Sequence, residues 1–286
     1  MMKSLFAPSL LPILALVLSS STGCASKSTS STSTGSGSEA VDQGSDSNAA
    51  EGDTESLGTS FIGGDGTGVS LASAGELVQH EGDLAPANLG DGAKNFFRPA
   101  GCLTVTPNAA AKTAKYAFAD CTGPYGMVHI TGEVDVTFSS SAANQLTVGY
   151  AATGLKINRH VVDWTATANV TSNGLARDMV WDGKISGTTA HGRAFSRTNH
   201  KEYKWTQGQA CLSVSGTSDG TITGHEIKTE VIDFSICKGG CPEAGSEIKV
   251  TDVSNGNVYD VKYNANDATY TGPAGRAVNY TPLCSL

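Results

Sequence analysis

Residues 127–138 read Met127-Val128-His129-Ile130-Thr131-Gly132-Glu133-Val134-Asp135-Val136-Thr137-Phe138. Val128, Ile130, Gly132, Val134 and Val136 fall on one side of an extended chain, and His129, Thr131, Glu133, Asp135 and Thr137 fall on the other. Successive side chains of a strand point to opposite faces, so this period of two predicts a sheet with one buried and one wet side. Similar chemistry recurs along the chain. Cys102–Thr106, Gln145–Ala151, Val161–Val170, Glu226–Cys237, Glu247–Val253 and Val258–Tyr263 are short runs rich in Val, Ile, Thr, Tyr and Trp, the residues that fit a pleated surface. Ser172-Asn173-Gly174, Asp182-Gly183, Asp219-Gly220 and Ser254-Asn255-Gly256 supply residues that tolerate positive φ, and read as tight hairpin turns. No amphipathic helical pattern longer than about ten residues follows Lys94, which argues against parallel βαβ units. The expectation is an all-β, antiparallel, hairpin-rich domain over residues 95–286, built as a sandwich or a barrel-like sheet.

Six cysteines lie in this domain: Cys102, Cys121, Cys211, Cys237, Cys241 and Cys284. An even number in an exported chain reads as three disulfides, for which fifteen pairings exist. Cys102 with Cys121 is favoured because the two flank one expected hairpin; Cys211 with Cys237 and Cys241 with Cys284 complete the set. The competing use of Cys237-Lys238-Gly239-Gly240-Cys241 is a structural metal site. A second close Cys or His pair is missing at matching spacing, so no metal and no cofactor is expected.

The amino terminus carries a different message. Lys3, the apolar run Leu10-Leu11-Pro12-Ile13-Leu14-Ala15-Leu16-Val17-Leu18 and a small-residue exit describe a secretory signal peptide, too short to span a bilayer as a stable helix. Ser21-Thr22-Gly23-Cys24 resembles the lipobox of bacterial lipoproteins. That resemblance implies cleavage before Cys24, removal of residues 1–23, diacylation of the Cys24 thiol and acylation, as by palmitate, of the freed amine. It also implies handling by the lipoprotein processing and sorting machinery. Two or three acyl chains hold a protein on a membrane where one does not. Ala25 in place of Asp after the cysteine implies sorting to the outer membrane, with the domain facing the periplasm or the cell surface.

Residues 24–56 hold almost no large apolar side chain, as in Ser28-Thr29-Ser30-Ser31-Thr32-Ser33-Thr34-Gly35-Ser36-Gly37-Ser38. Such a segment buries too little surface to offset its ordering entropy, so a disordered tether of about 30 Å reach is expected after the lipid. Residues 57–94 read as a transitional linker, with Phe61-Ile62, a helical turn over Leu71–Val78 and a single Gly-rich run at Gly63–Gly68. Charge divides unevenly: the whole chain carries −8, yet residues 94–286 hold 17 basic and 16 acidic side chains. A nearly neutral domain lacks the basic excess of a nucleic-acid binder, so no nucleic-acid partner is expected.

Catalytic signatures are sparse. Gly216-Thr217-Ser218-Asp219-Gly220 spells a nucleophile elbow, but that motif needs a helix after the serine, and strand-like residues stand on both sides. His129, His160, His191, His200 and His225 occur singly, and no local motif pairs carboxylates. The best candidate for a ligand surface lies in residues 191–205. On one continuous strand Arg193, Phe195, Arg197, Lys201, Tyr203 and Trp205 would share a face able to contact sugars, phosphates or acidic polysaccharide. Alternatively Thr198-Asn199-His200 turns, which breaks that register, and the aromatics pack inward with the charges solvated. Tyr125, Trp164 and Trp181 read as core or sheet-face anchors and not as ligand platforms. Two functions follow. One is a non-catalytic, membrane-anchored module that meets an envelope glycan or protein. The other is a secreted carbohydrate-active hydrolase, revealed only by a cleft holding two carboxyl groups about 5–10 Å apart.

Overall fold

From His129 onward the alternation becomes a strand with Ile130, Val134, Val136 and Phe138 buried and His129, Thr131, Glu133, Asp135 and Thr137 exposed. The computed structural model describes residues 46–52, 54–55, 57–58, 97–108, 110–122, 129–142, 144–206, 211–237, 242–264 and 267–280. They form thirteen strands: β1 (Leu103–Asn108), β2 (Thr113–Thr122), β3 (His129–Ser139), β4 (Gln145–Ile157), β5 (His160–Asn173), β6 (Ala176–Thr188), β7 (Ala194–Thr206), β8 (Cys211–Ile222), β9 (His225–Cys237), β10 (Glu247–Asp252), β11 (Asn257–Tyr263), β12 (Ala268–Thr271) and β13 (Ala277–Tyr280). All belong to one antiparallel sheet whose spatial order is the order of the sequence. The all-β, hairpin-rich expectation therefore holds.

Short turns set this meander. Between β5 and β6 the register closes at Asn173 opposite Ala176, leaving Gly174 and Leu175 at the tip, with Gly174 at φ 58°. β8 and β9 close at Ile222 opposite His225 over Thr223 and Gly224, both at positive φ. Two expected turns are corrected. Asp182-Gly183 lies in the middle of β6 and Asp219-Gly220 inside β8. These glycines serve close approach instead of chain reversal. A Cβ on Gly183 would stand 2.2 Å from Asn199 Oδ1, and one on Gly220 would stand 2.0 Å from the Ser196 carbonyl oxygen.

One face of the sheet is apolar. Leu146, Val148, Tyr150, Leu155, Ile157, Val162, Trp164, Val170, Met179, Trp181 and Ile185 line it across β4 to β6. Trp164 and Trp181 stack with centroids 6.1 Å apart, and Tyr150 stacks on Trp164 at 5.2 Å, so both tryptophans are core anchors as expected. The opposite face is polar, with Thr147, Asp163, Thr165, Asn169, Asp182, Lys184 and Thr198 directed outward. Breaks in register interrupt the β2/β3, β3/β4, β4/β5 and β8/β9 ladders. Bulges of this kind raise local twist and bend a sheet.

The apolar face is wrapped around a helix. Residues 46–52, 54, 55, 57 and 58 are helical, and all of them except Ala49 are buried. A helix is about 10–12 Å across with its side chains, so enclosure of nearly every described position requires a strongly bent sheet. This overturns the expectation that the whole of residues 24–56 is a tether with nothing to contribute to a core. Its apolar contribution is small, Ala50 and Leu57, and polar groups make up the rest of the contact. The lipobox with Cys24, the Gly63–Gly68 run, the turn at Leu71–Val78, Tyr125, Cys241 and Cys284 lie outside the described residues.

Cys102 and Cys121 form a disulfide between the start of β1 and the end of β2, the pairing expected for that hairpin. Cys211 is also disulfide-bonded and stands directly opposite Cys237 in the β8/β9 register. No helix among the described residues is long and apolar enough to cross a membrane.

Candidate functional site

β7 is continuous from Ala194 to Thr206, so Thr198-Asn199-His200 does not turn. Phe195, Arg197, Asn199, Lys201 and Tyr203 alternate with exposed Thr198, His200, Glu202 and Lys204, and the face proposed from sequence exists. It is nevertheless the inner face. Phe195, Arg197, Lys201 and Tyr203 are buried, Trp205 is half-buried and packs on the core, and Arg193 sits just before the strand. A surface displayed to ligand is therefore corrected to a surface covered by the chain's own helix.

The covering contacts are ionic and dense. Glu51 Oε2 accepts from Arg197 Nε at 2.8 Å and from Ser218 Oγ at 2.5 Å, while Glu51 Oε1 accepts from Lys201 Nζ at 2.8 Å and Asn199 Nδ2 at 3.1 Å. One turn on, Glu55 accepts from Lys201 Nζ at 2.7 Å, Asn199 Nδ2 at 2.5 Å and Tyr203 Oη at 2.8 Å. Arg197 also donates to Ser47 Oγ at 3.0 Å and to Thr229 Oγ1 at 2.8 Å, and Thr229 donates to Asn48 Oδ1 at 3.0 Å. At the near end Thr189 donates to Asp46 Oδ2, with His191 Nδ1 3.0 Å from Asp46 Oδ1 and Arg193 Nη1 3.6 Å from Asp46 Oδ2. At the far end Tyr150 Oη donates to the Gly58 carbonyl at 3.0 Å, above the tryptophan stack.

Why the segment folds this way follows from spacing. Glu51 and Glu55 are four apart, so a helix carries them on one face. Arg197, Asn199 and Lys201 are two apart, so a strand carries them on one face too. Arg197 and Lys201 are the cations that this part of the sheet turns inward, and the three buried carboxylates they and their neighbours meet all come from the helix. Buried ions require such mutual pairing, because removal from water is otherwise prohibitive.

The two carboxyls are pulled in opposite directions. Burial would raise Glu51, but the charges of Lys201 and Arg197 outweigh it and hold the group at about 2. Burial raises Glu55 to about 7, with Glu51's charge adding to the rise and Lys201 only partly offsetting it. Burial lowers Lys201, yet Glu51 and Glu55 more than reverse that, leaving the ammonium raised. Burial also lifts the Tyr203 phenol well above its ordinary value.

Ser218, the serine of the elbow-like sequence, lies mid-strand and 1% exposed. Its hydroxyl donates to Glu51, a carboxylate too acidic to act as its base. The participants that sequence reasoning did not place here include Asp46, Ser47, Asn48, Glu51, Glu55, Thr189, Asn199, Ser218 and Thr229. The only local signal was the four-residue spacing of Glu51 and Glu55, because their partners lie 144 to 167 positions away.

A second feature lies on the outer face. A groove of about 570 Å³ runs over Gly149 and Ala151, bordered by Thr137, Thr165, Thr167, Asp182 and Lys184. Asp182 pairs with His200 Nδ1 at 2.6 Å at its rim. No protein family, curated protein or solved structure matches the chain.

Proposed function

We propose that this chain is an exported lipoprotein, anchored through Cys24 to the outer membrane, that displays a non-catalytic β domain as an envelope binding or structural module. Ser21-Thr22-Gly23-Cys24 supports the anchor. The observation that carries the non-catalytic reading is that Glu51 and Glu55 belong to the very helix that fills the inner face of the sheet. Interior charge is spent on holding the amino-terminal segment against the sheet. The outer groove, with threonine hydroxyls, a carboxylate and an ammonium at its border, is the face left for an envelope glycan or protein. The intact mass of the mature amino terminus, taken from native envelope beside a Cys24→Ala variant, tests this. Cleavage before Cys24 plus diacylglycerol, lost in the variant, supports the anchor; an unlipidated soluble product overturns it.

A second reading, the β-scaffold hydrolase, has one observation in its favour: two neighbouring carboxyls with opposed shifts, the pattern that divides acid from nucleophile in glycosidases. Against it, a substrate reaches the pair only if the helix leaves, and the helix takes both carboxyls with it. Turnover of chromogenic glycosides, lost in Glu55→Gln, would establish this second reading.

A further inference from the structure

We infer that the inner face of β7 to β9 is a receptor for an acidic helix, and that a second copy of this chain can fill it by exchanging residues 46–58. Charge and chain length carry this inference. The helix brings Asp46, Glu51 and Glu55; the sheet answers with Arg193, Arg197 and Lys201, and with the donors Thr189, Asn199, Tyr203 and Ser218. Recognition therefore depends on a pattern of side chains and not on which copy carries the helix. Few apolar contacts bind the segment to its own sheet, Ala50 and Leu57 being its buried hydrophobic residues.

The length of the covalent connection permits exchange. Residues 59–96, 38 in number, join it to Phe97, the next described residue. The covalent geometry of a chain of that length lets it reach as far as about 125 Å, enough for the helix of one copy to meet the sheet of another. Exchange makes the same contacts in trans that already exist in cis, which is why swapping is a low-cost route to a dimer. A helix tied to its own sheet competes as an intramolecular partner, with an advantage that another copy meets only at high concentration. Closed monomers thus dominate dilute solution, and exchange becomes competitive where copies crowd. The lipid anchor would supply that crowding, a point resting on the function proposed above; the exchange itself does not need it.

The test uses the full-length chain in detergent solution, so its outcome is independent of the anchor. Glu55→Lys sets a cation on the helix against Lys201, and Lys201→Glu sets a third carboxylate against Glu51 and Glu55. Each chain alone opposes its own helix. A reciprocal exchange between the two restores complementarity in both seats: the natural helix on the natural sheet, and Lys at 55 facing Glu at 201. Native mass spectrometry of the pair, mixed or refolded together, is expected to give a 1:1 heterodimer at least tenfold above the dimer in either variant alone. The chain carrying both changes is expected to stay a closed monomer. A mixture with no heterodimer, while the doubly changed chain folds, overturns the inference. Should the doubly changed chain not fold, differently tagged wild-type copies opened in mild denaturant and closed together at mM concentration decide it. Mixed-tag dimers support exchange, and monomers alone overturn it.

Discussion

Lys201 on β7 and Glu55 on the amino-terminal helix stand 146 positions apart in the chain, yet their side chains meet at 2.7 Å with 6% and 2% exposure. Lys201 is simultaneously 2.8 Å from Glu51, so one ammonium closes two carboxylates from consecutive helical turns. The long loop between these residues is closed by an interaction whose value depends on both partners being present. A buried pair is weak as a source of net stability, but its rupture leaves an unpaired ion out of water.

Lys201→Met is accordingly expected to destabilise the domain by about 3–5 kcal/mol at pH 7.5. Adding Glu55→Gln to it should recover part of the loss, since one stranded carboxylate disappears. Denaturant midpoints of the two single variants, the double variant and the wild type form the cycle that measures the coupling. An additive result would show that Lys201 and Glu55 do not depend on each other.

Stability should fall as pH rises above the ordinary carboxylate range. The Glu55 carboxyl is raised from 4.5 to about 7 by burial, in a seat it shares with Lys201, Glu51, Asn199 and Tyr203. Below pH 4.5 it is protonated in folded and unfolded chains alike, and its contribution is fully present. As pH rises through 7 the unfolded carboxyl is already ionised while the folded one must ionise in the interior, so the contribution is lost. Glu51, lowered to about 2, acts in the opposite sense only as pH falls below 4.5. The expected loss between pH 5 and 8 is up to about 3 kcal/mol, read from denaturant midpoints. Glu55→Gln should flatten that slope, and an unchanged slope would place its origin elsewhere.

Gly58→Ala should unseat the end of the helix. A Cβ there would lie 2.3 Å from Trp181 Cη2 and 3.1 Å from Trp164 Cζ2, inside the aromatic stack. Overpacking of this kind costs about 1–3 kcal/mol. A red shift of tryptophan emission with increased proteolysis within residues 46–58 is the expected signature; wild-type emission would show that the stack yields freely.

Replacing Cys102 and Cys121 by Ser removes a cross-link between residues 19 apart. Loop-closure entropy puts the loss at about 3 kcal/mol. Because both cysteines lie at the β1/β2 end, away from β7, the response of the domain to Lys201→Met should be nearly unchanged in this background. A strongly non-additive result would show that the two ends of the sheet are coupled.

Particular residues show how much could be read before folding. The alternation at Ile130, Val134 and Val136 marked β3 and its buried side, and Gly174 marked a hairpin tip, because both signals are local. Gly183 and Gly220 misled for the same reason. Next to aspartate they look like turn residues, but the space they leave is used by Asn199 and by the Ser196 carbonyl on a neighbouring strand. Arg197, Lys201 and Tyr203 share a face only if the strand runs through Thr198-Asn199-His200, and neither that continuity, against the turn those residues suggest, nor the side of the sheet the face would occupy was legible. Two cations favour the outside unless a carboxylate is waiting within, and those carboxylates sit in a segment whose composition is that of a tether.

The sequence by itself determined the class of fold, the antiparallel order, the Cys102–Cys121 link and the tryptophan anchors, since strand period and turn chemistry operate over a few residues. Only the tertiary structure decided that the described residues between 46 and 58 join the core and that β7 turns its charges inward. A helix that poor in apolar side chains owes its place to Arg197 and Lys201, which the chain brings near it only by winding a whole sheet around it.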